Sequence, residues 1–206
     1  MTRVISYIDG FNLYFGLRAQ GWRKYYWLDL VTLSTALLKQ GQQLDHCHYF
    51  TARIRTNGHN AADMRRQTLY LEALSTLPGL SIYYGHYLEK QQHCRNCGAT
   101  WPYYEEKMTD VNIATQLLCD AFEDRFDMAL IVSADSDLTT PVAQVRVHFP
   151  HKRAIIALPP KRRSHELTRA ANGYFIINET TFRRSQLPAT VTKPDGFVLQ
   201  RPDHWK

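Results

Sequence analysis

Two stretches of this chain, MALIV at residues 128–132 and AIIAL at residues 154–158, are apolar at every position. A strand with one wet face alternates apolar and polar residues, so an unbroken apolar run belongs to a strand buried on both sides. Such strands are the mark of parallel sheets covered by helices. Other strand-like runs fall at residues 4–8, 48–54, 80–84 and 174–177. Between the runs lie helix-like stretches at residues 11–19, 28–39, 61–75, 110–123, 138–149 and 165–171. The stretch at 110–123 is the clearest: Val111, Ala114, Leu118, Ala121 and Phe122 share one stripe at the 3.6-residue period. Pro141 stands near the start of its stretch, where a proline fits the opening turn. Strands alternating with helices define an α/β chain with a mainly parallel central sheet flanked by helices. The 206 residues suit one domain with a small insert.

In open sheets of this kind, ligands bind beyond the carboxyl ends of the strands. The acids of the chain collect at that edge. Run 4–8 ends in Asp9, and run 128–132 leads through Ser133 to Asp135 and Asp137. Asp110 opens the strongest helix. Two carboxylates two residues apart on an extended exit point the same way and can serve one cation. Mg²⁺ and Mn²⁺ take such oxygen ligands. Each acid also has a plainer reading. Asp9 before Gly10, or Asp-Ser-Asp at 135–137, is by itself more often a turn that caps a helix. Asp110 in a first helical turn complements the helix dipole. The metal reading gains from three separate positions converging on one edge.

The segments YIDGFNLYFGL (Asp9, Gly10, Asn12), EEKMTDVNIATQLL (Glu106, Lys107, Asp110, Asn112) and LIVSADSDLTTPV (Ser133, Asp135, Ser136, Asp137) resemble, in order and spacing, the three signature blocks of NYN domains. These belong to the PIN-like nuclease superfamily, and the resemblance covers residues 3–177. It implies a Rossmann-like PIN-type fold, an acidic pocket for Mg²⁺ or Mn²⁺, and RNA as substrate. Carried over residue by residue, Asp9, Asp110, Asp135 and Asp137 would hold the metal. Asn12 would orient a carboxylate or the substrate, Ser133 and Ser136 would support the acidic loop, and Lys107 would contact a phosphate. Ala134 and Leu138 stand where relatives often carry Gly and Phe, and neither side chain is needed as a ligand. The expectation is a metal-dependent ribonuclease. The rival is a catalytically silent RNA-binding or regulatory module on the same fold.

The net charge of +6 is concentrated in Arg65-Arg66, Lys161-Arg162-Arg163 and Arg183-Arg184, and basic surfaces attract polyanions. Lys161, Arg162 and Arg163 read equally as a phosphate-contact patch and as a solvated loop. Tyr25, Tyr26 and Trp27 could stack bases but read first as packing. Of four cysteines, Cys94 and Cys97 are spaced C-x₂-C before Gly98, half of a zinc knuckle. His93, His86, Cys47, His46 and His48 are candidates for the missing ligands. A redox dithiol and two inert thiols are the competing readings. Residues 90–104 show no periodicity and read as an insert carrying this pair. The nuclease domain is expected to span residues 1–187, and residues 188–206 to form an extended or loosely docked tail. No apolar run approaches the length of a membrane span. The opening residues lack the long apolar stretch of a secretory signal, so a cytoplasmic location is expected.

Overall fold

The structure is a computed structural model that describes residues 1–54 and 60–205. Seven strands form one sheet in the order β4-β3-β2-β1-β5-β6-β7. They are β1 (Thr2–Asp9), β2 (Gln42–Ala52), β3 (Leu80–His93), β4 (Thr100–Lys107), β5 (Met128–Val132), β6 (Arg153–Leu158) and β7 (Gly173–Ile176). Six are parallel, and β4 is an antiparallel edge strand paired to β3. Helices α1 (Gly10–Ala19), α2 (Leu30–Ala36), α3 (Ala61–Leu74), α4 (Thr109–Phe122), α5 (Thr139–His148), α6 (His165–Ala170) and α7 (Glu179–Arg184) cover it.

The two-residue period of β1 divides the core. Val4 and Ile8 face a layer with Leu13 of α1, Leu30 and Leu33 of α2, Leu74 of α3 and Phe182 of α7. Ile5 and Tyr7 face the other layer, with Ile113 and Leu117 of α4, Val142 of α5 and Leu167 of α6. Strand β5 is buried at all five positions, as its unbroken apolar run requires. Between the sheet and α4 lies a buried polar knot. Asp120 accepts hydrogen bonds from the Tyr7 hydroxyl at 2.7 Å and from Gln116 at 2.9 Å, and His48 Nε2 lies 3.1 Å from it.

The topology fixes where a ligand can sit. From β1 the chain runs outward through β2, β3 and β4, then returns to β5 on the opposite side of β1. The helices that follow β1 and β5 therefore leave on opposite faces, which opens a crevice at the carboxyl ends of this strand pair. Ile8 pairs with Val132, so Asp9 and Ser133 emerge side by side.

Three segments differ from expectation. Residues 90–104 are the far end of a long β3–β4 hairpin and extend the main sheet instead of interrupting it. The polar run Glu-Lys-Gln-Gln-His carries no apolar alternation because it lies at an edge. The helix expected over 28–39 is shortened to Leu30–Ala36, capped by Asp29, whose Oδ1 accepts from Thr32 N at 2.8 Å. The tail is docked firmly: it forms the ribbon β8 (Thr190–Thr192) and β9 (Val198–Gln200), and Trp205 is 8 % exposed against Trp27, Tyr26 and Tyr70. The final residue of the tail, 206, lies outside the described residues.

Candidate metal centre at the strand edge

Asp9 ends β1 and caps α1. Its Oδ1 accepts from Asn12 N at 2.9 Å, and its Oδ2 accepts from Asn12 Nδ2 and Ser133 Oγ, both at 2.8 Å. The turn from strand to helix is possible because residue 10 is glycine. A Cβ there would stand 2.7 Å from the Phe50 carbonyl oxygen and 2.8 Å from the Tyr49 ring. Gly16 serves similarly one and a half turns on, where a Cβ would meet Pro159 and the Pro160 carbonyl at 2.8 Å. This close approach brings the β6–α6 loop against α1, and Arg162 Nε donates to Asn12 Oδ1 at 3.1 Å.

Asn12 is the hub of the crevice. Its Oδ1 accepts from Arg162 and, at 3.3 Å, from Ala134 N. Its Nδ2 donates to Asp9 and lies 3.5 Å from Asp135 Oδ2. Ser133 is fully buried and links the two acids, donating to Asp9 and accepting from Asp135 N at 3.0 Å. Asp110 stands in the first turn of α4, reached through Met108, whose left-handed backbone (φ 82°) is uncommon for a side chain of that size. Carboxylate oxygens of Asp9, Asp110 and Asp135 all lie within 4.8 Å of one another. They are supplied by three segments far apart in sequence. Asp9 is 2 % exposed, and burial pushes its carboxyl above the ordinary carboxylate value against the pull of its hydrogen bonds.

Asp137 does not join this trio. Strand alternation would aim it with Asp135 only if the chain stayed extended. Instead it turns into a 3₁₀ segment, Ser136–Leu138, directly after Asp135. Asp135 Oδ1 accepts from Asp137 N at 3.0 Å, so capping and cluster membership coexist in one carboxylate. Asp137 and Ser136 are exposed at the rim, and so are Lys161, with φ 57°, and Arg163. Lys107 ends β4, two residues before α4 begins. The side chain of Glu106 lies outside what the structure describes. Arg162 reaches the crevice through Asn12, the residue that holds Asp9. The sequence carried Arg162 only as one of a charged triplet, and the closeness that Gly16 allows was the signal that separates it.

A parallel sheet with its acids gathered at the β1–β5 crevice is the architecture of a PIN-like nuclease domain. The sequence profile of the NYN domain matches residues 3–179, and the chain belongs to that family. It is similar to 6-hydroxy-3-succinoylpyridine 3-monooxygenase HspA of Pseudomonas putida, with 29 % identity over 99 % of this chain and 75 % of that protein. A crystal structure of a protein of unknown function from Vibrio parahaemolyticus shares the fold, with a TM-score of 0.56 and 17 % identity over 90 % of this chain and 96 % of that one. Among the described residues, no helix is long and apolar enough to cross a membrane.

The cysteine pair lies at the tip of the β3–β4 hairpin. Cys94 N donates to the Ala99 carbonyl at 2.8 Å, and Gly98 N to the Cys94 carbonyl at 2.9 Å. Backbone N–H groups of Cys97 and Asn96 hold the Cys94 thiol below its ordinary pKa. Cys47 is different: burial raises its thiol to about 12, and it packs beside Ser34. Cys47 pairs with Leu80 at the start of β3, so Cys47, His46 and His48 sit roughly 40 Å of strand from the tip and cannot complete a site there.

Proposed function

We propose that this protein is a ribonuclease that hydrolyses RNA phosphodiester bonds with a divalent cation held by Asp9, Asp110 and Asp135. The meeting of three carboxylates from three segments at the strand switch point carries this reading. The donor set fits a hard cation, because it offers oxygen alone. Held by Asp9, Asp110 and Asp135, Mg²⁺ or Mn²⁺ would supply neutralisation of phosphate charge and a lowered pKa of water. The protein's own part is positioning. Asn12 and Ser133 fix the rotamer of Asp9, and Asp137 N holds the Asp135 carboxylate. Arg162, anchored on Asn12, brings a positive charge to the rim, where an anionic backbone approaches. Lys161, Arg163 and Lys107 extend that charge, and Asp137 and Ser136 line the approach.

The name of the Pseudomonas relative raises a second class, hydroxylation of a pyridine. Non-haem iron oxygenases bind metal through two histidines and one carboxylate. The trio here is all carboxylate, which favours hydrolysis. Incubation with labelled single-stranded RNA, structured RNA and single-stranded DNA, in Mg²⁺, Mn²⁺ or EDTA, separates the readings. Metal-dependent RNA cleavage is expected. Intact RNA that still binds would support the silent module instead.

A structural zinc at the hairpin tip is a separate proposal, supported by the C-x₂-C-G turn and the N–H groups around Cys94. Two ligands come from this chain. Metal analysis of protein purified without chelator should find one zinc per chain, or one per pair of chains if two tips share it. Metal-free protein with both thiols freely titrating would reject it.

A further inference from the structure

A groove of 610 Å³ runs along α1, lined by Phe11, Tyr14, Phe15 and Arg18 and not by Asn12. It begins at Gly10 and Phe11, the two residues after Asp9, and is bounded by Tyr49, a residue within electrostatic reach of Asp9. Aromatic rings line it in sequence of contact. Tyr87 meets Phe11 at 6.4 Å, Phe11 stacks on Phe15 at 6.5 Å and 24°, Phe15 meets Tyr14 at 5.3 Å, Tyr14 meets Tyr26 at 5.1 Å, and Tyr26 meets Trp205 at 5.8 Å. Helical spacing i, i+3, i+4 normally sends such residues into a core. Here Tyr14 is 43 % and Phe15 44 % exposed. Arg18 and Arg23 lie close enough to act on the Tyr26 phenol, and both belong to the groove wall. Arg18 has no carboxylate partner among the described residues.

Rings at intervals of 5–6.5 Å, with Tyr14 and Phe15 exposed among them, cations beside them and an acidic cluster at one end, match the needs of one ligand class. Unpaired bases have free π faces, and stacking on aromatic side chains is how sequence-tolerant single-strand binders hold them. A duplex hides those faces by pairing and stacking its bases on one another. We propose that this groove binds unpaired RNA next to the scissile phosphate, with bases stacked on Tyr14 and Phe15 and phosphates met by Arg18 and Arg23. The placement relative to the cut rests on the nuclease reading, whereas the binding does not.

The test is equilibrium binding by fluorescence anisotropy in EDTA, where the proposed cleavage is off. The probes are fluorescein-labelled decauridine, an abasic ribose-phosphate decamer and a blunt RNA duplex. The wild type should bind decauridine at least tenfold more tightly than either of the others. Tyr14→Ala with Phe15→Ala should lower decauridine affinity about tenfold or more and leave the abasic decamer unchanged, while Tyr14→Phe should behave as wild type. Both residues are exposed, so the double variant should fold, and its melting curve checks this. Equal binding of decauridine and the abasic decamer would overturn the proposal. So would a folded double variant that binds like wild type, including one that changes only the oligomeric state, which would make the face a contact between copies. Base-dependent binding without cleavage in Mn²⁺ would leave the groove standing and remove the nuclease.

Discussion

Replacing Asp135 by asparagine separates the two jobs its carboxylate does. The cap should survive, because an amide oxygen can accept from Asp137 N as Asp135 Oδ1 does at 3.0 Å. The charge is lost. The trio's oxygens lie within 4.8 Å of one another, and at that bound two unit charges repel by roughly 1–3.5 kcal/mol for effective dielectric constants between 80 and 20. Asp135 faces two such partners. Burial raises the Asp9 pKa, so part of this repulsion is already relieved by its weaker hold on charge, and the lower end of that range is used. One term opposes the gain. The variant's amide nitrogen would take the place of Asp135 Oδ2, which lies 3.5 Å from Asn12 Nδ2, and put donor against donor. The net expectation for metal-free Asp135→Asn is a stabilisation of about 1–2 kcal/mol, or about 2–8 °C in Tm for a domain of this size. Mn²⁺ at about 100 times its Kd should then raise wild type by about 2.7 kcal/mol and the variant by far less. Thermal melts of both proteins, with and without Mn²⁺, measure all four quantities. A destabilised metal-free variant with an undiminished Mn²⁺ response would show that the turn is structural and the trio holds no cation.

Asp120 should behave in the opposite way, because it is paired instead of crowded by like charge. Burial acts to raise its pKa, but the hydrogen bonds from His48, Tyr7 and Gln116 together hold it below the ordinary value. A lowered carboxylate contributes stability above its unfolded pKa and loses it as pH falls through the folded one. Asp120→Ala should therefore cost about 3–5 kcal/mol near neutral pH by leaving buried donors unpaired, and the deficit should shrink below about pH 4. Urea melts across that range check it, and an equal deficit at every pH would contradict the linkage. Removing the charges of Lys161, Arg162 and Arg163 together should flatten the log–log dependence of RNA affinity on salt, since fewer counterions are released. An unchanged slope would take that loop off the RNA.

The sheet and two of the three clustered acids were legible because they rest on local rules. Continuously apolar runs announce buried parallel strands, and an acid at such a strand's exit lies at the ligand edge. The helix opened by Asp110 was legible, but its inward face was not: Val111 and Phe122 of the expected stripe are exposed, and Ile113, Leu117 and Ala121 face the sheet. Asp137 was expected beside Asp135, but residues i and i+2 share a direction only in an extended chain, and the turn at Ser136 comes one residue too early for it. The hairpin was hidden because edge strands need no apolar alternation. Trp205 was hidden because its partners Trp27 and Tyr70 are more than a hundred residues away in sequence, where no periodicity reaches. The groove escaped for a different reason: Phe11, Tyr14 and Phe15 have the spacing of a buried helix face, and only exposure tells a stacking platform from a core.

The central claim is that the Asp9–Asp110–Asp135 cluster is a cation site for phosphodiester hydrolysis. Its most direct measurement is the cleavage rate of one labelled single-stranded RNA by wild type and by Asp135→Asn, in Mn²⁺ and in EDTA, with RNA binding measured on the same samples. Wild type should cleave in Mn²⁺ and stop in EDTA. The variant should lose at least about 100-fold in rate while binding RNA as before. Cleavage that persists in EDTA, or at full rate in the variant, would contradict the account.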